Sequence, residues 1–197
     1  MRRMGYALPV TIVMLAACAK PPQADIDAAQ AALDSAKAAE AAEYAPESLT
    51  AAEDAMAALD AELQAQQGRF FVFRSYDQAK LEAENAVKAA QLSASEAMLA
   101  KERARSEASE LLARTNTLLN EASELLVLAP AGKGTAMDIA ALRADLQSAS
   151  QMLREAEGAF DAGHYKEASA KATGAVAAIE GVKGAIEEAR RARSRRS

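Results

Sequence analysis

Glycine and proline are scarce in this chain of 197 residues, with nine and five copies, and neither occurs between Gly68 and Pro130. Tryptophan is absent, and aromatic residues make up only 4%. The single cysteine, Cys18, excludes an internal disulfide. With one histidine beside it, a typical transition-metal site lacks ligands. The carboxylates show no EF-hand spacing, so we expect no metal site. Long β-branched runs are missing beyond the first seventeen residues, which argues against strands. What the chain has in abundance is alanine, about a quarter of all residues. Alanine loses no side-chain entropy in a helix, so this composition predicts an all-α fold.

Reactive machinery is equally thin. Catalysis usually needs converging groups of different type. His164 follows Gly163 at the predicted start of a helix, where capping or solvation is the simpler role. Gly132-Lys133-Gly134-Thr135 echoes a phosphate loop, but Leu128 stands where a further glycine belongs and a helix precedes it instead of a strand. We therefore expect a protein that is not an enzyme.

The N-terminus carries an address. Arg2 and Arg3 are followed by an apolar stretch, Ala7 to Leu15, interrupted only by Pro9 and Thr11. That stretch is too short to span a bilayer and reads as a signal peptide, residues 1–17. It closes in Leu15-Ala16-Ala17-Cys18, which resembles the lipobox of bacterial lipoproteins; the alternative is an ordinary secretory signal that leaves Cys18 a free thiol. The lipoprotein resemblance implies a diacylglycerol thioether and an N-acyl chain on Cys18, and several chains together hold a membrane firmly. Ala19 stands where an Asp tends to mean inner-membrane retention, so the resemblance implies the periplasmic face of the outer membrane. Residues 18–24 are a lipidated tether, stiffened by Pro21 and Pro22.

Charge is unevenly spread. Residues 23–67 hold ten acidic side chains against one lysine, Lys37, within a chain of net charge −5. Five arginines crowd the other end: Arg190, Arg191, Arg193, Arg195 and Arg196. One or two of these suit a helix C-terminus. Five together suggest either simple solvation or contact with an anionic surface such as phospholipid headgroups.

The spacing of the breakers predicts the helices. A first helix is expected from about Asp25 to Glu43, a second from Pro46 to Gly68, and one long helix over 75–128, about 80 Å at 1.5 Å per residue. Beyond the loop around Lys133, capped by Thr135 or Asp138, come a helix from about Met137 to Phe160, a turn at 161–163 and a last helix from His164 into the arginine tail. Stepping by seven from Tyr76 meets Ala83, Ala90, Ala97, Ala104, Leu111, Leu118 and Leu125. Companion residues lie three places later in the first half (Ala79, Ala86) and four later in the second (Ala108, Thr115, Ala122). The changeover falls in the highly charged stretch 101–107, which should meet solvent on most sides. A long helix that changes packing face suggests two bundles sharing one spine; a break there is the competing expectation.

The segments also repeat. Residues 43–46 parallel 127–130 at an offset of 84. Phe71, Tyr76, Ala79, Ala83, Ala86 and Val87 parallel Phe160, Tyr165, Ala168, Ala172, Ala175 and Val176 at an offset of 89. The expected architecture is an elongated antiparallel bundle of two three-helix units, 25–100 and 101–190, sharing one long central helix and followed by a basic tail, 191–197.

Tyr44-Ala45-Pro46-Glu47 with Leu49, and Tyr76-Asp77-Gln78-Ala79 leading an Ala-stepped helix, carry a second resemblance. Residues 25–100 resemble an Ala-rich helical domain of unknown function found in bacterial envelope lipoproteins, often ahead of an OmpA-type peptidoglycan-binding domain. No such domain follows here; a second helical unit takes its place. The resemblance implies an envelope setting, with an envelope protein or peptidoglycan as partner, and no mechanism.

Phe70-Phe71-Val72-Phe73, between Arg69 and Arg74, is the densest aromatic cluster. Either its rings cover the open end of a bundle, or they form an exposed tip that docks a partner or touches lipid. Exposure of Phe70 and Phe73 separates the two. The functional expectation is a structural or adaptor lipoprotein with no cofactor beyond the lipid on Cys18 and no nucleic-acid partner. The alternative is a small-ligand or regulatory module with a pocket between helices lined by Tyr44, Tyr76 or Tyr165.

Overall fold

The computed structural model describes residues 20–129 and 136–194. Cys18, Arg195, Arg196 and the loop at 130–135 lie outside them. The described residues form helices and turns, with no strand among them: α1 (Gln23–Ala38), α2 (Ala41–Tyr44), α3 (Pro46–Gln67), a 3-10 turn (Phe71–Phe73), α4 (Asp77–Val127), α5 (Ala136–Asp161) and α6 (Tyr165–Ser194). The fold is an all-α bundle. It divides into two compact units, the first ending at Ala97 and the second beginning at Met98.

Local chemistry accounts for most boundaries. Pro22 precedes α1, and the N–H groups of Asp25 and Ile26 bond its carbonyl at 3.0 and 3.1 Å. Pro46 occupies the first turn of α3, where its missing N–H costs nothing. Gly163 takes φ +85° after α5, and its N–H bonds Phe160 O while that of His164 reaches Ala159 O, both at 2.9 Å. This pair of bonds is the Schellman motif, which glycine enters without a Cβ clash.

One boundary departs from expectation. The single helix expected over Asp25–Glu43 ends at Ala38, and Glu40 adopts φ 60° before α2 begins. No glycine or proline marks this break. What compensates is burial: Ala41 is fully buried and Tyr44 is 7% exposed, so the reversal turns both into the core of the first unit. The parallel drawn between residues 43–46 and 127–130 weakens accordingly, since Leu128 is 71% exposed where Tyr44 is buried.

In the first unit, Ala29 of α1, Leu59 of α3 and Tyr76, Ala79, Ala83 and Ala86 of α4 form one buried cluster. Ile26, Met56, Leu63 and Val87 pack around it. Lys37 meets Glu53 at 3.0 Å, which joins the end of α1 to the early part of α3. The two helices therefore run antiparallel, and the start of α1 lies at the same end as the close of α3. In the second unit, Ala122 and Leu126 of α4 pack with Leu146 and Ala149 of α5 and with Ile179, Val182 and Ile186 of α6.

The burial pattern along α4 follows the predicted seam in the first half, whereas in the second the companion positions are buried and the seam residues Ala104, Leu111, Leu118 and Leu125 only partly so. Tyr76, Ala79, Ala83, Ala86, Ala90 and Ala97 are buried in the first half, and Ala108, Thr115, Ala122 and Leu126 in the second. Ala97 and Ala108 are eleven residues apart, three turns of helix, and this step resets a stripe that otherwise advances by alternating threes and fours. Between them Glu102, Arg103, Arg105, Ser106 and Glu107 are all exposed. The helix runs through this stretch unbroken.

The offset of 89 also matches burial along the helical stripes, though not at Phe71 and Tyr76, which differ in exposure from Phe160 and Tyr165. Ala79, Ala83, Ala86, Ala90, Ser93 and Ala97 correspond to Ala168, Ala172, Ala175, Ile179, Val182 and Ile186, and every one is buried. Toward the ends of both stripes, small side chains in the first unit correspond to branched ones in the second.

Candidate functional site

The turn between α3 and α4 is built on backbone carbonyls. The closing residues of α3 leave their C=O groups without partners in the helix, as every helix end does. Arg74 supplies donors: its Nε bonds Arg69 O at 3.0 Å and a terminal nitrogen bonds Gln67 O at 2.9 Å. Gln66, buried to 4% exposure, accepts the N–H of Ser75 at 3.1 Å and donates to Glu62 at 2.7 Å. Ser75 Oγ lies 3.0 Å from an Asp77 carboxylate oxygen at the first turn of α4. Both feet of the turn are thereby fixed.

What they hold up is apolar. Phe70, Val72 and Phe73 are 65%, 56% and 73% exposed, and Phe71 is 49% exposed. The N–H of Phe73 bonds Phe70 O at 2.9 Å, closing the 3-10 turn. The Phe70 and Phe71 rings meet at 4.7 Å between centroids, tilted by 52°, an edge-to-face type of arrangement. The rings do not cover the end of the bundle, and that expectation is overturned. Tyr76 and Gln66 already close the core below them, so the phenylalanines have nothing left to bury against.

No carboxylate stands between Glu62 and Asp77, although the preceding helices are strongly acidic. Arg69 is exposed, and its side chain makes no hydrogen bond or ion pair among the described residues. Four apolar side chains in a row, two thirds exposed at either end and flanked by cations, form a patch that soluble surfaces usually avoid.

The other expected contact residues include three in α6, in the second unit. Arg190 is half-buried, and Arg191 bonds Glu187 at 3.3 Å, one turn back. Arg193 lies within the helix, which extends to Ser194 and so takes in the first part of the basic tail. Arg195 and Arg196 fall outside the described residues, as does Cys18. His164 is exposed, and its carbonyl accepts the Ala168 N–H at 2.9 Å in the first turn of α6.

The tyrosines proposed to line a pocket are taken up in packing. Tyr44 and Tyr76 are 7% and 5% exposed, and Tyr165 stacks against Phe160 at 5.2 Å. Three open grooves lie elsewhere. One of about 310 Å³ is lined by Asp25, Ala28, Ala83 and Val87 among others, and one of about 370 Å³ by Asn120, Arg143, Gln147 and Arg154 among others. The third, about 490 Å³, runs beside Leu142, Ala185 and Glu188. None of the three includes a tyrosine. Among the described residues no three potential metal ligands gather, and no helix is long and apolar enough to cross a membrane.

Among the described residues, two ionisable groups are clearly perturbed. A hydrogen bond from Gln151, then a hydrogen bond and charge from Lys171, hold the Glu155 carboxyl below its usual range. The hydrogen bond to Glu155 in turn raises Lys171, with Glu167 adding to it and desolvation opposing. The Lys171–Glu155 separation is 3.2 Å. This pair ties α5 to α6 and has no reactive neighbour.

Compared with models of protein families, with curated proteins and with solved structures, the chain matches none.

Proposed function

We propose that this chain is a lipid-anchored helical protein of the bacterial envelope, acting as a structural or adaptor component on the periplasmic face of the outer membrane. The anchor reading rests on Leu15-Ala16-Ala17-Cys18 together with the start of α1 only five residues further on, at Gln23. So short a tether keeps the helices close to the lipid surface. The resemblance of residues 25–100 to helical envelope domains supports the same setting.

The observation that carries the adaptor reading is the exposed apolar surface the helices leave unfilled. Leu81 and Leu92, three turns apart on α4, are 49% and 55% exposed, on the side away from the Ala seam. Such a line suits an envelope protein or peptidoglycan-associated partner laid along the helix.

Two measurements test the proposal. Radiolabelled palmitate is expected to enter the wild-type chain and not Cys18→Ser; equal labelling of both, or of neither, overturns the anchor. A photoreactive residue at position 92 is expected to form adducts with an envelope component in intact cells. Adducts no more abundant there than at an exposed polar position on another helix, such as Asp60 of α3, overturn the adaptor role.

A further inference from the structure

We propose that the aromatic turn Phe70–Phe73 is a second membrane contact, seated in the interface of the same bilayer leaflet that receives the Cys18 lipid. The proposal deepens the anchored reading and rests on it for the choice of bilayer.

Geometry within the first unit comes first. The antiparallel run of α1 and α3 puts Gln23 and the Phe70–Phe73 turn at one end of the unit. Asp25 and Ala28 lie beside Ala83 and Val87 of α4 across one groove. Counting fourteen residues from the Lys37–Glu53 contact along each helix puts Gln23 level with Gln67, at the foot of the turn. From Cys18 to Gln23 the chain advances five residues, a reach of up to about 17 Å when extended. A lipid on Cys18 and the tip of the turn therefore reach one plane together.

Chemistry comes second. Phenylalanines at 65%, 49% and 73% exposure, with Val72 among them, make a wedge that gains by leaving water. Aromatic side chains favour the boundary between headgroups and acyl chains. Arg69 stands free at its base, within reach of a lipid phosphate, and no acid lies from 63 to 76, so the nearest carboxylates are Asp77 and Asp25 at the foot of the turn. The carbonyl clamp by Arg74 satisfies backbone groups that would otherwise be costly to bring near lipid. A lipid chain alone leaves an anchored body free to swing; a second contact fixes its orientation.

The absence of tryptophan makes the test clean. Phe73→Trp places one fluorophore at the tip, and Leu92→Trp places one on an exposed face of α4 in the same unit. Each full chain is reconstituted into vesicles of phosphatidylethanolamine and phosphatidylglycerol, with and without brominated acyl chains. Expected is a blue-shifted emission for Phe73→Trp that the brominated lipid quenches, with Leu92→Trp unshifted and unquenched. Phe73→Trp behaving like Leu92→Trp overturns the proposal. So does quenching that survives unchanged when Phe70 and Phe71 are both replaced by serine, since the wedge would then not be what inserts. The mass of the Cys18 peptide, measured on the same samples, reports the anchor separately. Quenching without acylation upholds the tip contact and removes the lipid anchor; acylation without quenching does the reverse.

Discussion

Two buried residues on α4 show how much depends on single hydrogen bonds. Thr115 is fully buried, and its hydroxyl bonds Leu111 O at 2.7 Å within its own helix. Ser93 is equally buried, yet its hydroxyl finds no partner among the described residues. An unmet buried hydroxyl costs free energy that a methyl group does not. We expect Ser93→Ala to stabilise the protein by about 1 kcal/mol in urea unfolding. A loss of stability would mean that the hydroxyl has a role in the core that its surroundings do not reveal. Glu40 poses a backbone version of the same question. At φ 60° its Cβ crowds the following carbonyl, a strain of about 1–2 kcal/mol that glycine escapes. Glu40→Gly should therefore raise the unfolding midpoint, with circular dichroism unchanged. A lowered midpoint would show that the side chain's own interactions outweigh the strain.

At the scale of elements, what the amino-acid sequence announces and what it conceals follow a physical line. Pro46 starts a helix and Gly163 ends one because their own backbones demand it, and those boundaries were legible; Gly68 also closes α3 as expected, though at φ −70°. The break at Ala39–Glu40 was not, because tertiary burial of Ala41 and Tyr44 imposes it on residues that favour continuing a helix. The aromatic turn was legible as a cluster, flanking arginines included. Its exposure was not, since periodicity says which face is buried and nothing about whether a bundle's end is already closed. Pairing between elements also sets a pH dependence. Glu155 is lowered, so its contribution is complete above the ordinary carboxylate range and is lost as acid protonates it. Lys171 is raised, so its contribution is complete below the ordinary lysine range and is lost as alkali removes its proton. The difference in melting temperature between wild type and Lys171→Met should form a plateau through neutral pH that shrinks toward both extremes. Because both groups are solvent-facing, the plateau should be low and should shrink further in high salt. A difference that does not vary with pH would assign the effect to packing of the lysine stem.

For the whole molecule, the two units pose a contrast in how helices hold together. In the first, the stripe on α4 is mostly alanine, and Leu59 is the one large side chain there with no exposure. In the second, Ile179 and Ile186 have 0% and 1% exposure and meet Leu126 and Leu146. Each added methylene removed from water contributes about 0.8 kcal/mol. Ile179→Ala should therefore cost about 2–5 kcal/mol, whereas a similarly buried alanine such as Ala90 has no comparable side chain to lose. Helix α4 supplies an internal control, because one unbroken run of backbone hydrogen bonds serves both cores. Helix length is shared and intrinsic propensity favours the alanine-rich first half, so slower opening of the second half must come from what it packs against. Amide hydrogen exchange should be slower at Ala108, Thr115, Ala122 and Leu126 than at Ala79, Ala83, Ala86 and Ala90, and Ile179→Ala should speed the former set more than the latter. Equal protection along the helix would mean that close approach of alanine-lined helices compensates fully for the smaller area.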